Sequence, residues 1–360
     1  MHMKKQFPLF LGLSAVLVLI YGVVQFAVPV SPGKEPEEIY IKEGTSFSEA
    51  ASMLAKGGYV RDAALFKILG RLTGADRRMR AGYYAVDGSM SPWQIFREFA
   101  RGKLIETELT VVEGECLAEI REKLVSKKLI SAREFDRLAR DPAFIASLGV
   151  EGPNLEGYLF PETYRFPKGI TPEKLISTMV SKLMQVYKGD LLERTNELGL
   201  SMKAVITLAS IIEKEAVADS ERALISAVFL NRIKKGMPLQ ADPTAVYGVK
   251  PPRALVSKFD LMKSTKYNTY KIKGLPPGPI ASPGFKSIKA ALYPARVPYL
   301  YFVSKHDGTH TFSATYEEHL KAVESLKVKI EEELAEEAAP APDSKNADPD
   351  KMEAKKDGSH

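Results

Sequence analysis

The sequence predicts an α+β protein with one N-terminal transmembrane helix, a small α+β module and a larger mixed α+β domain. Three observations support this prediction: an uncharged run near the N-terminus, a partial repeat at an offset of 70 residues, and many amphipathic helices separated by short strands. The 360 residues give room for about two domains, and 45% of them are apolar, which excludes wholesale disorder. The net charge of +6 is too low for a dedicated nucleic-acid binder.

The first element is a run of 24 residues without charge, at 7–30. A helix of that length extends about 36 Å, enough to cross the roughly 30 Å hydrocarbon core of a bilayer. Lys4 and Lys5 precede the run and mostly acids follow it, which places residues 1–6 in the cytoplasm and the rest outside. We therefore expect a single-pass protein of the inner (cytoplasmic) membrane. The alternative is a cleaved signal peptide, which exports the same residues.

The second element, residues 38–105, begins a partial internal repeat, whose landmark is a Glu-Gly pair at 43–44 and again at 113–114. Alternating polarity predicts strands, and apolar spacing of three and four residues predicts helices. The predicted strands are 38–42, 80–86 and 106–112, and the predicted helices are 46–56, 91–101 and 116–127. Ser91 is predicted to cap its helix. The strand–helix–helix pattern of residues 38–105 resembles a LysM-type sugar-binding module; a scaffold without a ligand is the alternative.

The third element is the larger domain, residues 106–330. Its predicted helices are 131–140, 172–186, 190–197, 201–216, 220–235 and 316–330, and its predicted short strands or loops include 299–304 and 309–312. Residues 331–360 contain no aromatic residue and ten acids against four lysines, so we predict a disordered acidic tail. This tail has a charge of −6, which leaves +12 on the rest of the chain. Such a basic body suits an anionic cell wall and membrane surface.

The helix at 201–216 has two glutamates on opposite flanks of its apolar stripe. Glu213 lies on a mixed flank, whereas Glu215 continues the apolar flank formed by Leu208 and Ile212. A carboxyl group among aliphatic side chains has a raised pKa, which a general acid near neutral pH requires. The alternative is that both glutamates are solvated acids on either side of Lys214.

Polar and aromatic residues cluster in the loops after this helix, where proline and glycine stiffen the chain. Amides, hydroxyls and aromatic faces in such loops are what a sugar-binding groove uses. The predicted groove residues are Asn231, Gln240, Asp242, Thr244, Tyr247, Tyr267, Asn268 and Tyr270. One cysteine and five histidines without ligand spacing exclude a zinc finger, and no nucleotide-binding or G-x-S-x-G motif is present. We expect no cofactor and no metal.

Two segments, 208–215 and 220–222, resemble the catalytic segment of the YceG-like (MltG) endolytic murein transglycosylases. Further matching segments are 156–164, 228–232, 236–240, 242–244, 267–270, 274–278, 299–303 and 310–312. The resemblance covers residues 106–330 as a YceG-like catalytic domain and includes the anchor and the LysM-like module. It implies that Glu215 is the essential acid and adds Glu162 to the substrate-binding residues.

The resemblance implies a membrane-anchored lytic transglycosylase that cleaves the MurNAc–GlcNAc bond of peptidoglycan and leaves 1,6-anhydro-MurNAc ends. Its expected partners are peptidoglycan glycan strands, the membrane and peptidoglycan synthases near nascent strands, with no nucleic acid. Two alternatives stay open. One is a hydrolytic muramidase, with Glu162 or Asp242 as the second carboxylate. The other is a non-catalytic, membrane-tethered protein that binds peptidoglycan.

Overall fold

The computed structural model describes the backbone of residues 3–338 and the side chains of residues 12–17 and 19–331. These residues form a mixed α+β fold that is mostly helical, and its strands pair into small two-stranded antiparallel sheets. The predicted α+β class is therefore confirmed. One hydrophobic core takes its residues from Ile41 to Leu104 along the chain, and a larger core takes them from Leu109 to Leu292.

The chain begins with helix α1 (Met3–Ala27). In the part of the chain that the structure describes, no helix is long and apolar enough to cross a membrane. The predicted anchor at 7–30 includes residues outside the described side chains, and it stays a prediction. Arg61 ties the end of α1 to the folded body, because its guanidinium donates hydrogen bonds to the carbonyl oxygens of Val28 and Pro29 at 2.8 and 2.9 Å.

The first repeat copy folds around one pair of strands. Its elements are β1 (Glu37–Ile41), α2 (Phe47–Lys56), α3 (Ala63–Thr73), β2 (Gly82–Val86) and α4 (Pro92–Arg101). The strands pair antiparallel with Ile39 opposite Tyr84, and the helices bury Leu54 and Phe99 in the core. The predicted cap is confirmed, since the Ser91 hydroxyl accepts a hydrogen bond from the amide of the third helical residue.

The second repeat copy has the same strand–helices–strand order. Its elements are β3 (Glu106–Thr110), α5 (Leu117–Ser126), α6 (Ala132–Leu138), α7 (Pro142–Ser147) and β4 (Thr163–Pro167). β3 pairs antiparallel with β4, which the sequence analysis did not predict although Tyr164 and Phe166 alternate with exposed residues. The buried side chains of this copy belong to the larger core, so the copy is part of the main body.

The rest of the main body is built from helices and one hairpin. These elements are α8 (Pro172–Val186), α9 (Asp190–Glu197), α10 (Met202–Glu215), α11 (Arg222–Lys234), α12 (Asp242–Val246), α13 (Lys258–Met262), α14 (Phe285–Leu292), β5 (Tyr301–Ser304), β6 (His310–Ser313) and α15 (Tyr316–Ala338). α10 is the central helix and packs against α9, α11, α12 and α14. All residues from Val205 to Ile212 are buried, which extends the predicted single stripe to the whole circumference.

Two sequence predictions need correction. Helices α7, α12, α13 and α14 were not predicted, because they have five to eight residues and three of them have proline or glycine at or just before their first turn. The predicted disordered tail was wrong at its start, since α15 continues to Ala338. Glutamate and alanine favour helix, and the first proline of the tail is Pro340. Residues 339–360 lie outside the described residues.

Gly157 provides a test of the packing between the loop before β4 and the proline-rich loop at 275–283. Its φ is +81°, and an added Cβ would lie 2.4 Å from the Cβ of Pro279. Gly157→Ala should lose about 1–2 kcal/mol from backbone strain and about 1–3 kcal/mol from overpacking, measured as the free energy of unfolding in urea.

Gly199→Ala is the matched control for this prediction. Gly199 also has a positive φ, +63°, but an added Cβ would meet no atom within 4 Å. It should therefore lose only the backbone contribution. Equal losses in the two variants would contradict the close packing of Gly157 on Pro279.

Candidate active site

The end of α10 separates the two glutamates that the sequence places there. The hydroxyl of Ser201 begins the helix by accepting the amide hydrogen of Ala204 at 3.1 Å. Glu213 then accepts hydrogen bonds from Arg222 Nη1 at 3.0 Å and from the amide of Gly284 at 2.9 Å. The side chains of Glu213 and Arg222 are only 5% and 9% exposed. Glu213 is therefore fully engaged in a buried ion pair.

Glu215 points to the other side of the helix, into a cleft of about 330 Å³. The other residues that line this cleft are Arg232, Leu239, Gln240, Asp242, Tyr270, Phe302, Ser304, His310 and His319. They come from α11, the loop before α12 and the first residue of α12, the loop after α13, the β5–β6 hairpin and α15. The cleft thus combines segments that are up to about a hundred residues apart in the chain.

The environment of Glu215 raises the pKa of its carboxyl group to about 8. Burial is the largest cause, because it disfavours the anion, and the nearby charge of Asp242 adds to it. The backbone amide of Asp242 and the charge of Arg232 act in the opposite direction. The carboxyl group therefore keeps its proton at neutral pH, which is the state that a general acid needs.

The loop that leads into α12 forms one wall of the cleft. Tyr270 donates its hydroxyl hydrogen to Asp242 Oδ1 at 2.5 Å, which fixes both side chains beside Glu215. Gln240 has a φ of +53°, an unfavourable backbone conformation for this residue type. The backbone amide of Gln240 donates a hydrogen bond to the carbonyl oxygen of Thr269 at 3.1 Å. Strain of this kind is typical of functional sites and persists where surrounding contacts hold it.

Arg232 forms the base of the cleft and was not among the predicted site residues. Its guanidinium donates to the carbonyl oxygens of Leu300 and Leu239, both at 2.7 Å, and lies 5.3 Å from the ring centre of Tyr301. It also donates to the side-chain oxygen of Gln240 at 3.2 Å. Arg232 therefore holds the hairpin and the α12 loop together, and it contributes a positive charge beside Glu215.

Four of the predicted site residues share this cleft: Glu215, Gln240, Asp242 and Tyr270. Three others use their polar groups on the backbone instead. The Asn231 amide donates to two carbonyls of the 297–299 segment at 2.9 Å, and the fully buried Thr244 hydroxyl donates to the carbonyl of Ala241 at 2.6 Å. Asn268 is also fully buried and donates to the carbonyl of Lys263 at 2.6 Å.

The remaining predicted residues lie elsewhere on the protein. Tyr247 donates its hydroxyl hydrogen to Glu156 at 2.9 Å and lines a separate cavity of about 410 Å³. Tyr267 packs on Tyr247, with 4.6 Å between ring centres. Glu162 forms an ion pair with Lys182 at 2.8 Å on another part of the surface. The structure therefore does not bring these three residues into the cleft of Glu215.

Six residues of this cleft were not among the predicted site residues: Arg232, Leu239, Phe302, Ser304, His310 and His319. Arg232 and His310 belong to the segments that carried the family resemblance, and this was the only available signal for them. His319 lies on α15, and its buried Nδ1 has no hydrogen-bond partner among the described residues. Sequence periodicity could not predict that a residue of α15 lies in the same cleft as Glu215 of α10, because the two helices are far apart in the chain.

Fold and site together define an α+β protein with a carboxyl group of raised pKa at the end of a buried helix, facing a polar and aromatic cleft. The YceG-like family model matches residues 39–325, and the chain belongs to the YceG-like family.

Comparison with individual proteins agrees with this membership. A Bacillus subtilis protein named endolytic murein transglycosylase is 34% identical over 324 residues, which cover 85% of this chain and 89% of that protein. A Streptococcus pneumoniae protein of the same name is 28% identical over 78% of this chain, which spans only 56% of that protein. The crystal structure of a YceG-like protein from Listeria monocytogenes is 32% identical and covers 80% of this chain and 98% of its own, with a TM-score of 0.56.

The raised pKa of Glu215 predicts a specific dependence of stability on pH. In the unfolded chain the carboxyl group loses its proton near its ordinary pKa of 4.5, whereas in the folded protein it keeps the proton up to about pH 8. The folded state binds more protons between these values, so the free energy of unfolding falls as the pH rises through this window. Glu215→Gln removes this loss, and it should melt at a higher temperature than the wild type at pH 8 and at a similar temperature near pH 4.

Glu213→Gln is the control with the opposite sign. It leaves the nearly buried Arg222 with only the half-exposed Asp219 as a carboxylate partner, so the variant should lose about 3–5 kcal/mol of unfolding free energy at pH 7. Thermal melts of both variants at pH 4 and pH 8 make the comparison. If Glu215→Gln melted below the wild type at both pH values, the raised pKa would be contradicted.

Proposed function

We propose that this chain is an endolytic lytic transglycosylase that cleaves the MurNAc–GlcNAc bond of peptidoglycan glycan strands and leaves 1,6-anhydro-MurNAc ends. The observation that carries the proposal is the single carboxyl group with a pKa of about 8 in the cleft. Relatives named endolytic murein transglycosylase, one of them 34% identical over most of both chains, support the substrate class.

One carboxyl group is enough for this reaction because the substrate brings its own nucleophile. Glu215 gives its proton to the bridging oxygen while the bond from that oxygen to C1 of MurNAc breaks. The 6-hydroxyl of the same MurNAc attacks C1, and the Glu215 carboxylate can accept the proton that this hydroxyl loses. Water takes no part. A hydrolytic glycosidase, in contrast, uses a second carboxylate as nucleophile or base.

The cleft offers hydrogen-bonding groups on the side opposite the helix. Gln240 and Asp242 lie at the start of α12, Tyr270 reaches them from the loop after α13 through its hydrogen bond to Asp242, and Arg232 supplies a positive charge. Such groups fit the hydroxyl and acetamide groups of amino sugars, and the ring of Phe302 offers an apolar face. We propose that these residues bind the sugars on either side of the cleaved bond.

Glu215→Gln should abolish cleavage of purified glycan strands while the protein keeps its fold, because glutamine cannot donate the required proton. Glu197→Gln, at an exposed residue of α9, is the control and should cleave at the wild-type rate. Wild-type activity should fall above about pH 8 as Glu215 loses its proton. Strands that bind but stay uncut with the wild type would favour the non-catalytic, peptidoglycan-binding alternative.

Asp242 favours a muramidase as the second candidate function, because it is the other carboxylate in the cleft. Glu162, the other residue considered for this role, lies outside the cleft. Mass analysis of the new strand ends separates the two reactions. We expect anhydro ends; ends heavier by the mass of one water molecule would exclude the transglycosylase reaction.

We further propose that residues 7–30 anchor the chain in the inner membrane, with the cleft outside the cytoplasm and near the synthases that make nascent strands. The uncharged run and the two lysines before it support this proposal. In membrane fractions of cells that produce the full chain, the protein should resist extraction by alkaline carbonate, and a deletion of residues 1–30 should be released. Release of the full chain by carbonate would contradict the anchor.

A further inference from the structure

A buried carboxylate behind the cleft has a histidine as its hydrogen-bond partner. Glu221 lies just before α11 and is 8% exposed. It accepts two hydrogen bonds from His310, one from the backbone amide at 2.9 Å and one from ring Nδ1 at 2.7 Å. The adjacent Arg222 pairs with Glu213 and Asp219 instead, and no lysine or arginine of the described chain pairs with Glu221. Among the described residues, His310 is therefore the hydrogen-bond partner of the Glu221 carboxylate.

This contact determines which nitrogen of His310 faces the cleft as an acceptor. A carboxylate accepts hydrogen bonds, so the neutral ring carries its hydrogen on Nδ1 and its lone pair on Nε2. Nε2 has no hydrogen-bond partner among the described residues, and His310 lines the same cleft as Glu215. Phe302 packs edge-on against the ring at 5.3 Å, which further limits its rotation.

We infer that His310 is the base that accepts the proton of the attacking sugar hydroxyl, and that Glu221 is the positioning residue that orients it. This inference rests on the proposed transglycosylase function and adds a second proton-transfer group to it. A carboxylate that fixes the tautomer and the orientation of a histidine base is an established catalytic arrangement.

The proton transfers balance without water as a reactant. Glu215 protonates the bridging oxygen as its bond to C1 breaks, and the 6-hydroxyl oxygen forms the new bond to C1. The hydroxyl proton passes to Nε2 of His310, and the resulting imidazolium is stabilised by Glu221. The imidazolium then returns a proton to the Glu215 carboxylate through solvent. If His310 is removed, Glu215 must perform both transfers itself.

The two arrangements predict different pH–rate profiles. With Glu215 alone, the rate falls only on the alkaline side, above about pH 8. With His310 as base, the reaction needs a second group in its unprotonated form, so the rate also falls on the acidic side and the profile is bell-shaped. The other charged or titratable groups that line this cleft are Arg232, Asp242, Tyr270 and His319.

The test uses the full chain, purified glycan strands, and the variants His310→Gln and Glu221→Gln. Both should lose about 100-fold or more of kcat with KM within about threefold, and the acidic fall of the profile should disappear. Glu221→Gln is the sharper variant, because its amide can donate to Nδ1 and moves the ring hydrogen to Nε2. His306→Asn is the matched control, since this histidine is exposed in the β5–β6 turn.

Three outcomes would overturn the inference. If the variants kept the wild-type kcat and an unchanged bell-shaped profile, the role of His310 as base would be rejected. The proposed transglycosylase function would still stand, because the wild type would still cleave the strands. A loss confined to KM would make the pair a binding element. A wild type that leaves strands uncut would overturn the proposed function together with this role.

A measurement on the wild type covers the case in which a variant does not fold. Nitrogen NMR of the histidine side chains reports which ring nitrogen carries the hydrogen. At pH values where the ring is neutral, His310 should carry it on Nδ1. A hydrogen on Nε2 would overturn the inference, because that nitrogen could not accept a proton.

Discussion

The site depends on the buried ion pair between Glu213 and Arg222. Glu213 also binds the amide of Gly284, and Arg222 also contacts the hydroxyl of Ser287 at 2.5 Å, so the pair joins the ends of α10, α11 and α14. Buried charges are stable only when such hydrogen bonds satisfy them. Residues two positions apart lie on opposite sides of a helix, so fixing Glu213 in this way turns Glu215 into the cleft.

Three neighbouring carboxyl groups have different properties because their partners differ. Glu213 faces a guanidinium, and Glu221 faces an imidazole and a backbone amide. At Glu215, burial and the charge of Asp242 outweigh the backbone amide of Asp242 and the charge of Arg232, which favours the neutral form. The same residue type thus occupies three different electrostatic environments within nine positions of the chain.

The sequence was sufficient where structure is local and insufficient where it depends on distant segments. The bounds predicted for α8 and α9 are those observed, because both helices are amphipathic, Thr171 caps the first and Gly189 precedes the second. Glu215 could be selected from the sequence because the apolar residues beside it on the helix, Leu208 and Ile212, are close to it in the chain. The contact between Glu221 and His310 joins residues 89 positions apart, which no periodicity reveals. Buried loop residues such as Asn268 have the same amide groups as a sugar-binding residue, but they use them on the backbone.

The contact of Arg61 with the end of α1 also determines how the first repeat copy lies against that helix. Ser31 and Lys34 add hydrogen bonds to the carbonyls of Gly58 and Gly57, both at 2.9 Å, so the segment after α1 lies against the first repeat copy over several residues. These hydrogen bonds restrain the joint, whereas the end-to-end distance of a glycine- and serine-rich linker varies widely. These contacts therefore hold the first repeat copy against the end of α1, so its distance from that helix is short and its orientation is restrained.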